Sequence, residues 1–443
     1  MLKVALMTLG CAKNEVDSEI MIGLLENVGY QVTDDYQAAE VIIVNTCGFI
    51  ADAKEESIEN ILQLAQYKED GACELLVVTG CLAQGYSEEL SSQMPEIDAM
   101  LGTGNFDEII NIIEEGLAGE SKIEIDKPDF DYNDYLPETI IDDKNSAYVK
   151  IAEGCNNYCS YCLIPELRGD LRSRTIDSIV EEVKQLAEHG VKEINIIAQD
   201  VTQYGIDLAG KSKLVELLEE LVQIGDIKWF RLLYAYPSHI TDELIEIIAR
   251  EDKICNYLDI PVQHADIEIR EKMNRSGDKE QILEVINKFR TKIPDMTLRT
   301  SLIVGFPGET EENFQVLLDF IEEAQFDNLG AFTYSQEEGT PAAQMDCQIP
   351  EERKEERYQR VMNLQSNISY QRNQQWVGRE VEVLVEDYQL QEPRIMLGRS
   401  QREAPEEIDG LIFIKDTSAE IGEFITVEIT EAHEYDLIGV ETK

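Results

Sequence analysis

Three stretches of the chain are apolar at almost every position, and each ends on a cysteine: Val4-Ala-Leu-Met-Thr-Leu-Gly-Cys11, Val41-Ile-Ile-Val-Asn-Thr-Cys47 and Leu75-Leu-Val-Val-Thr-Gly-Cys81. Each is followed by residues with helical spacing. Continuous β-branched runs alternating with helices indicate a parallel sheet buried on both faces. Residues 1–120 therefore read as an N-terminal βα domain, with strands near 3–8, 41–45, 74–79 and 97–101 and helices near 14–28, 52–67 and 106–116.

From Asp126 to Asp143 the pattern fails. Seven acidic residues, one lysine, Pro128, Pro137 and several tyrosines mark an acidic linker, placed at 121–142. Beyond it, strand-like runs recur at 147–152, 193–198, 229–234, 256–262, 297–304 and 328–334. Amphipathic helices separate them, with stripes such as Ile176, Ile179, Val180, Val183, Leu186 and Ala187, or Phe314, Leu317, Leu318 and Ile321. Six strand–helix repeats over 143–374 predict an open (β/α)6 partial TIM barrel whose site lies at the carboxyl ends of its strands. A charged helix near 350–374 closes this domain. From 375 to 443 short alternating strands (380–385, 410–414, 424–429) predict a small OB-like β-barrel. The fold class is α/β with a terminal all-β module.

The cysteines change the picture from architecture to chemistry. In a parallel sheet the carboxyl ends of the strands share one edge, where ligands bind. Cys11, Cys47 and Cys81, remote in sequence, are thus expected to converge in space. A second triplet is compact: Cys155, Cys159 and Cys162 form C-x3-C-x2-C within Ile151-Ala-Glu-Gly-Cys-Asn-Asn-Tyr-Cys-Ser-Tyr-Cys162. Three thiolates can hold three irons of a [4Fe-4S] cube and leave the fourth open. Such an iron can chelate the amino and carboxylate groups of S-adenosylmethionine, and an electron from the cube then gives a 5′-deoxyadenosyl radical. The alternative is a zinc site with a distant fourth ligand.

Charge narrows the partners. The 443 residues carry 38 basic against 89 acidic side chains, a net charge of −51. Such a field repels polyanions and attracts basic partners; an acidic proteome would produce the same balance. The terminal module alone holds 17 acidic and 6 basic residues, which argues for a basic protein surface over an RNA backbone. No apolar run reaches membrane-spanning length, and the first residues enter a strand directly, so neither signal peptide nor membrane contact is expected. Nine cysteines, odd in number and clustered, fit metal binding in a reducing cytoplasm better than a disulfide framework.

Several motifs together resemble the radical S-adenosylmethionine methylthiotransferase family over essentially the whole chain: Thr8-Leu-Gly-Cys-Ala-Lys-Asn-Glu-Val-Asp-Ser18, Val44-Asn-Thr-Cys-Gly48, Val78-Thr-Gly-Cys-Leu82, Glu153-Gly-Cys through Cys162, and Ile303-Val-Gly-Phe-Pro-Gly-Glu-Thr310. The resemblance implies two [4Fe-4S] clusters, the dispersed triplet holding one that carries the sulfur to be inserted. It implies S-adenosylmethionine used twice, once as methyl donor and once as radical source, and an electron donor of flavodoxin or ferredoxin type. It places Tyr161 beside the adenine, with a local packing aromatic as the alternative.

Other candidates rest on position. Gly305 and Glu309 lie in a strand-loop-helix turn that can pass the adenine or simply be capped by Thr310. Arg168 and Arg174 are candidate partners for a carboxylate of cofactor or substrate, with internal salt bridges as the alternative. Gln199 and Asp200, and Gln263 and His264, follow barrel strands and can reach the mouth; His264 reads better as a structural histidine. Cys73, Cys255 and Cys347 read as small buried hydrophobes.

Within the family, Arg168-Gly-Asp-Leu-Arg-Ser-Arg174, Tyr257-Leu-Asp-Ile-Pro-Val-Gln-His-Ala265, Gly330 through Pro341 and Gly398 through Gly410 resemble the branch that modifies an aspartate of ribosomal protein S-twelve. That implies a basic ribosomal protein, free or in the small subunit, as partner, and not free tRNA. The competing expectations are a tRNA-adenosine methylthiotransferase and a non-catalytic iron-sulfur scaffold or electron carrier.

Overall fold

The computed structural model describes residues 1–120, 122–128, 145–389, 394–405 and 408–442. The three cysteine-terminated runs form adjacent strands of one six-stranded parallel sheet. Its order is Gln31–Val32, Lys3–Thr8, Val41–Thr46, Leu75–Gly80, Ala99–Leu101 and Lys122–Glu124. Val41–Thr46 and Leu75–Gly80 are buried at every position, as expected of strands covered by helices on both faces. Helices Ala12–Asn27 and Ile109–Leu117 share one apolar cluster, and Ala51–Ala65 and Cys81–Gln93 contribute to another.

Two strands of this sheet had no sequence signal. Gln31–Val32 and Lys122–Glu124 are two- and three-residue edge strands, too short to carry a period. The second falls inside the stretch read as linker, whose larger part, residues 129–142, lies outside the described residues.

The central domain is a second six-stranded parallel sheet, with strands in sequence order: Ser146–Lys150, Glu193–Ile197, Trp229–Leu232, Ile254–Asp259, Thr297–Val304 and Asn328–Thr333. The order does not close, so this is the expected open barrel. Its helices pack outside over the largest apolar cluster, and Glu351–Gln374 lies against its last strand. A small ribbon, Ala152–Glu153 with Arg172–Ser173, pinches the chain at both ends of the compact cysteine loop.

The terminal module is a closed five-stranded barrel, in order Glu380–Gln389, Ile395–Arg399, Ile412–Lys415, Leu437–Glu441 and Phe424–Ala432. It is locked to the concave side of the central sheet. Glu193 is fully buried and accepts from Arg231 (2.8 Å) and Arg399 (2.6 Å). Arg231 also donates to the carbonyls of Gln401 (2.8 Å) and Ser400 (3.2 Å), and Tyr257 and Arg299 both reach Asp409. One apolar cluster runs from the first domain through Trp229 and Tyr257 to Leu384 and Ala404. The three domains thus share a core. Among the described residues no helix is long and apolar enough to cross a membrane.

Cys73 and Cys255 are buried as expected, but Cys347 is exposed. It sits in a turn after the short helix Pro341–Gln344, and its carbonyl accepts from the Gly308 N–H (2.9 Å).

Candidate active site

The dispersed triplet is built by strand register. Thr8 pairs with Asn45 and Thr46 with Gly80, which brings Cys11, Cys47 and Cys81 to one edge. The turns after the strands pass in contact. Gly10 adopts φ +97°, and a Cβ there would lie 2.7 Å from the Cys47 Cβ. At Gly48 a Cβ would lie 2.8 Å from Leu82 backbone atoms. Only glycine permits both approaches.

Polar side chains fix this edge. Asn14 donates to the Leu9 (2.8 Å) and Thr46 (3.1 Å) carbonyls, Asn45 donates to the Asn14 carbonyl (2.9 Å), and Ser57 bonds both the N–H and the carbonyl of Cys47. Cys11 is exposed, Cys47 half-buried and Cys81 buried. Burial pushes the Cys81 thiol up to about 11, opposed by Arg168, whose Nε–H points at its sulfur from 3.4 Å. Burial raises Cys47 as well.

The compact triplet is positioned differently. Its loop has little regular structure, and other loops clamp it. Asn157 donates to Asp200 (2.9 Å) and accepts from Gln203 (2.6 Å); Asn274 donates to the Tyr158 carbonyl (2.9 Å); Ser160 bonds the carbonyls of Met273 and Lys272. Arg275 directs one N–H at the Cys159 sulfur (3.6 Å) and at the Tyr161 hydroxyl (3.3 Å). The Ile164 N–H points at the Cys162 sulfur (3.4 Å). Burial pushes Cys155 up to about 11 and Cys162 higher.

Both donor sets fit iron-sulfur ligation. N–H groups aimed at sulfur favour thiolates, and thiols raised by burial give up their protons only to a metal. Among the described residues no three Cys, His, Asp or Glu side chains gather around a single-ion position. In a cube each thiolate serves a different iron, whereas a structural zinc ion takes four ligands around one centre.

A buried ionic knot joins the two triplets. Arg168, 2 % exposed, lies on the compact loop yet contacts Cys81 of the dispersed triplet. It pairs with Asp17 (2.6 Å) of the first domain and Glu153 (3.0 Å), and donates to Asn14. Lys150 joins the same two carboxylates. Burial works against charge on Glu153, but Lys150 and Arg168 hold its carboxyl well below the usual range. Leu163 and Leu167 pack directly on Cys81. Arg168 therefore touches Cys81 of the dispersed triplet, and its carboxylate partners are internal.

The other candidates divide. Arg174 stands apart: it pairs with buried Glu182 and bonds Ser178 and the Lys150 carbonyl. Gln199 donates to Glu153, and Asp200 anchors the cysteine loop. Tyr161 packs against the cluster of Met273, Phe306 and Tyr334. Gln263, at φ +70°, bridges to Ser301 and Ile303 through its backbone. Glu309 accepts from the N–H groups of Gly305 (2.7 Å) and Phe306 (3.1 Å) and from Arg357 (2.9 Å), while Thr310 caps the following helix. Glu309 and Gly305 thus form a self-contained turn. Burial pushes Glu309 up to about 7 and His264 down to about 3. His264 is a neutral, fully buried ring that accepts from the Asp266 N–H (3.0 Å).

Sequence reasoning passed over Asp17, Lys150, Asn274, Arg275 and Lys13. Arg275 meets Cys159 across 116 positions and Arg168 meets Asp17 across 151, distances at which no spacing rule operates. Lys13 lay inside a recognised motif without a role of its own.

Comparison with known proteins follows the same three-part division. Residues 3–102 match the family described as "Uncharacterized protein family UPF0004", 149–321 the Radical SAM superfamily and 377–441 the TRAM domain. Among solved structures, the cobalamin- and [4Fe-4S]-bound radical S-adenosylmethionine methyltransferase TsrM of Kitasatospora setae resembles the chain with TM-score 0.57, 14% identity and 77% of each chain covered. The cobalamin-dependent radical enzyme OxsB follows at TM-score 0.54 and 13% identity, covering 83% of this chain and 56% of that one. At such identities the likeness shows the fold. Two relatives carry more. "Ribosomal protein uS12 methylthiotransferase RimO" of Heliobacterium modesticaldum is 50% identical over 99% of this chain and 95% of its own length, and that of Clostridioides difficile 51% over 99% and 98%. Each of these matches spans almost the whole of both chains, and the chain therefore belongs to the RimO family of radical S-adenosylmethionine methylthiotransferases.

Proposed function

We propose that this enzyme attaches a methylthio group to the β-carbon of an aspartate in ribosomal protein uS12, free or within the small subunit, in the cytoplasm. Cys155, Cys159 and Cys162 hold one [4Fe-4S] cluster, and Cys11, Cys47 and Cys81 hold a second. Together with S-adenosylmethionine these groups supply hydrogen abstraction from an unactivated carbon and the methylthio group that replaces the hydrogen.

The chain's own residues set the geometry of that exchange. One observation carries the reading: Arg168, on the loop of one triplet, contacts a cysteine of the other. That contact brings the two triplets to the same junction of the first domain and the barrel, a closeness that lets a carbon radical meet sulfur before water or another hydrogen donor. The knot of Asp17, Lys150, Glu153 and Arg168 fixes the first domain against the barrel, and Arg275 and Arg168 offer N–H groups to ligand sulfurs. Tyr161 and Gln199 border the compact loop, and Gln263 follows the fourth barrel strand. A reductant of flavodoxin or ferredoxin type supplies the electron. The net charge of −51 favours a basic protein substrate over tRNA.

The test uses anaerobically reconstituted enzyme with S-adenosylmethionine, sulfide and reductant. A uS12 loop peptide and an anticodon-stem RNA are offered in parallel, and both are weighed by mass spectrometry. A methylthio mass gain at the peptide's aspartate, with 5′-deoxyadenosine formed, is expected. Gain on the RNA alone would overturn the substrate, and absence of 5′-deoxyadenosine the chemistry.

A further inference from the structure

The region between the triplets holds several buried cations, and most are neutralised. Lys150 and Arg168 face Asp17 and Glu153. Lys13 differs. It lies in the first turn of Ala12–Asn27, two residues beyond Cys11, and is 8% exposed. Among the described residues no carboxylate comes within ion-pair distance of it. Its ammonium sits over the ring of Tyr234, 3.0 Å from the centroid.

Tyr234 is itself held with care. It follows strand Trp229–Leu232 at the carboxyl end of the central barrel, with φ +64°. Its N–H donates to Asp259 (3.2 Å), and its carbonyl accepts from the Val201 N–H (3.1 Å). A residue of the first domain thus delivers a positive charge to the mouth of the barrel, beside a cysteine of the dispersed triplet.

An aromatic face offsets part of the cost of desolvating an ammonium. It satisfies only one side of a group with three N–H donors, so the remaining donors are available to an anion. We infer that Lys13 receives the carboxylate of the substrate aspartate. This rests on the function proposed above and deepens it.

The chemistry supports the match. The β-carbon of aspartate is one bond from its carboxyl carbon, so anchoring the carboxylate positions the reacting carbon directly, next to Cys11. In a chain with 89 acidic and 38 basic residues, a site without a local cation would repel that carboxylate. An isopentenylated adenine presents no such anion, so the same lysine favours the aspartate over that base.

The experiment crosses enzyme with substrate. Reconstituted full-length wild type, Lys13→Gln and Lys13→Arg, with iron content and cluster absorbance verified, are titrated by fluorescence anisotropy with a uS12 loop peptide. A second peptide has asparagine in place of the target aspartate. Wild type is expected to prefer the aspartate peptide by about thirtyfold or more, as for a buried charge pair. Lys13→Gln should bind the two alike, and Lys13→Arg should keep the preference. A Lys13→Gln enzyme that still favours aspartate overturns the inference. So does a loaded Lys13→Arg enzyme that has lost the preference, which also covers the case in which Lys13→Gln does not load its clusters. Mass analysis of wild-type turnover separates the two readings. If wild type modifies the peptide while Lys13→Gln keeps its preference, the inference alone fails. If wild type modifies only RNA, the proposed function fails and the inference with it.

Discussion

The two cysteine triplets reach similar ends by opposite means. Cys11, Cys47 and Cys81 are far apart in sequence and are placed by main-chain register, each just beyond the carboxyl end of a strand of the parallel sheet. Cys155, Cys159 and Cys162 are near neighbours, yet their loop takes its shape from Asp200, Gln203, Asn274 and Arg275, which lie on other elements. Closeness in sequence is not preorganisation. The dispersed site needs the whole domain and few special contacts, whereas the compact site needs many side-chain clamps and little secondary structure.

Replacing one cysteine in each triplet gives the largest effect and the sharpest contrast. Cys155→Ala is expected to lose 5′-deoxyadenosine formation and product together. Cys81→Ala should keep 5′-deoxyadenosine formation in the presence of peptide and lose only methylthio transfer. Each should retain about half of the roughly eight irons that two cubes hold. Iron analysis, chromatography of the nucleoside and peptide mass decide it. Loss of 5′-deoxyadenosine in Cys81→Ala would show that the triplets do not work independently and would break the comparison.

A step down in effect are the substitutions that test how each triplet is held. Gly10→Ala places a Cβ 2.7 Å from the Cys47 Cβ at φ +97°; positive φ alone costs about 1–2 kcal/mol. The variant should lose iron from the dispersed site and retain 5′-deoxyadenosine formation. Asn274→Gly removes the clamp on the Tyr158 carbonyl and introduces no strain, because Asn274 already sits at φ +55°. It should lower 5′-deoxyadenosine formation by about 10- to 100-fold, as outer contacts of metal sites do. The unfolding free energy should change by no more than about 1 kcal/mol, since Asn274 is exposed. A reversal of the two phenotypes would mean that register and clamps have been assigned to the wrong sites.

The contrast also explains what could be read from the sequence. Strand-end convergence was legible because continuous apolar runs such as Val41–Val44 report burial on both faces, and topology does the rest. The six barrel strands were legible for the same reason, and the terminal barrel from the apolar–polar alternation of its short strands. The edge strands Gln31–Val32 and Lys122–Glu124 were not, having too few residues to show a period. Arg174 sat in the same run as Arg168 and was given the same role. Only the position of Glu182, nearly two turns into helix Ile176–Glu188, separates an arginine paired within its own domain from one that touches Cys81. The clamps on the compact loop were invisible because Asn274 and Arg275 meet it across more than a hundred residues.

The smallest effect is expected where neither triplet is touched, at the seam between the central sheet and the terminal barrel. Although burial opposes its charge, Arg399 and Arg231 hold the Glu193 carboxyl at about 2, against 4.5 for the free side chain. A depressed folded-state value means that the ionised form stabilises the fold. That contribution is complete above about pH 4.5, is lost as pH falls towards 2, and is worth a few kcal/mol. Trp229 reports on the same seam, lying edge-on to Phe424 of the terminal barrel with ring centroids 4.7 Å apart. Denaturant titrations followed by tryptophan fluorescence should show wild type more stable than Glu193→Gln at neutral pH, with the gap narrowing steadily below pH 4.5. Cluster absorbance should be unchanged by the substitution at neutral pH, because Glu193 lies at the amino end of its strand, opposite the edge that carries the cysteines. A gap independent of pH would remove Glu193 as the seam's titrating group. Loss of either cluster would show that the terminal barrel also shapes the triplets, which would narrow the difference between a site held by register and one held by clamps.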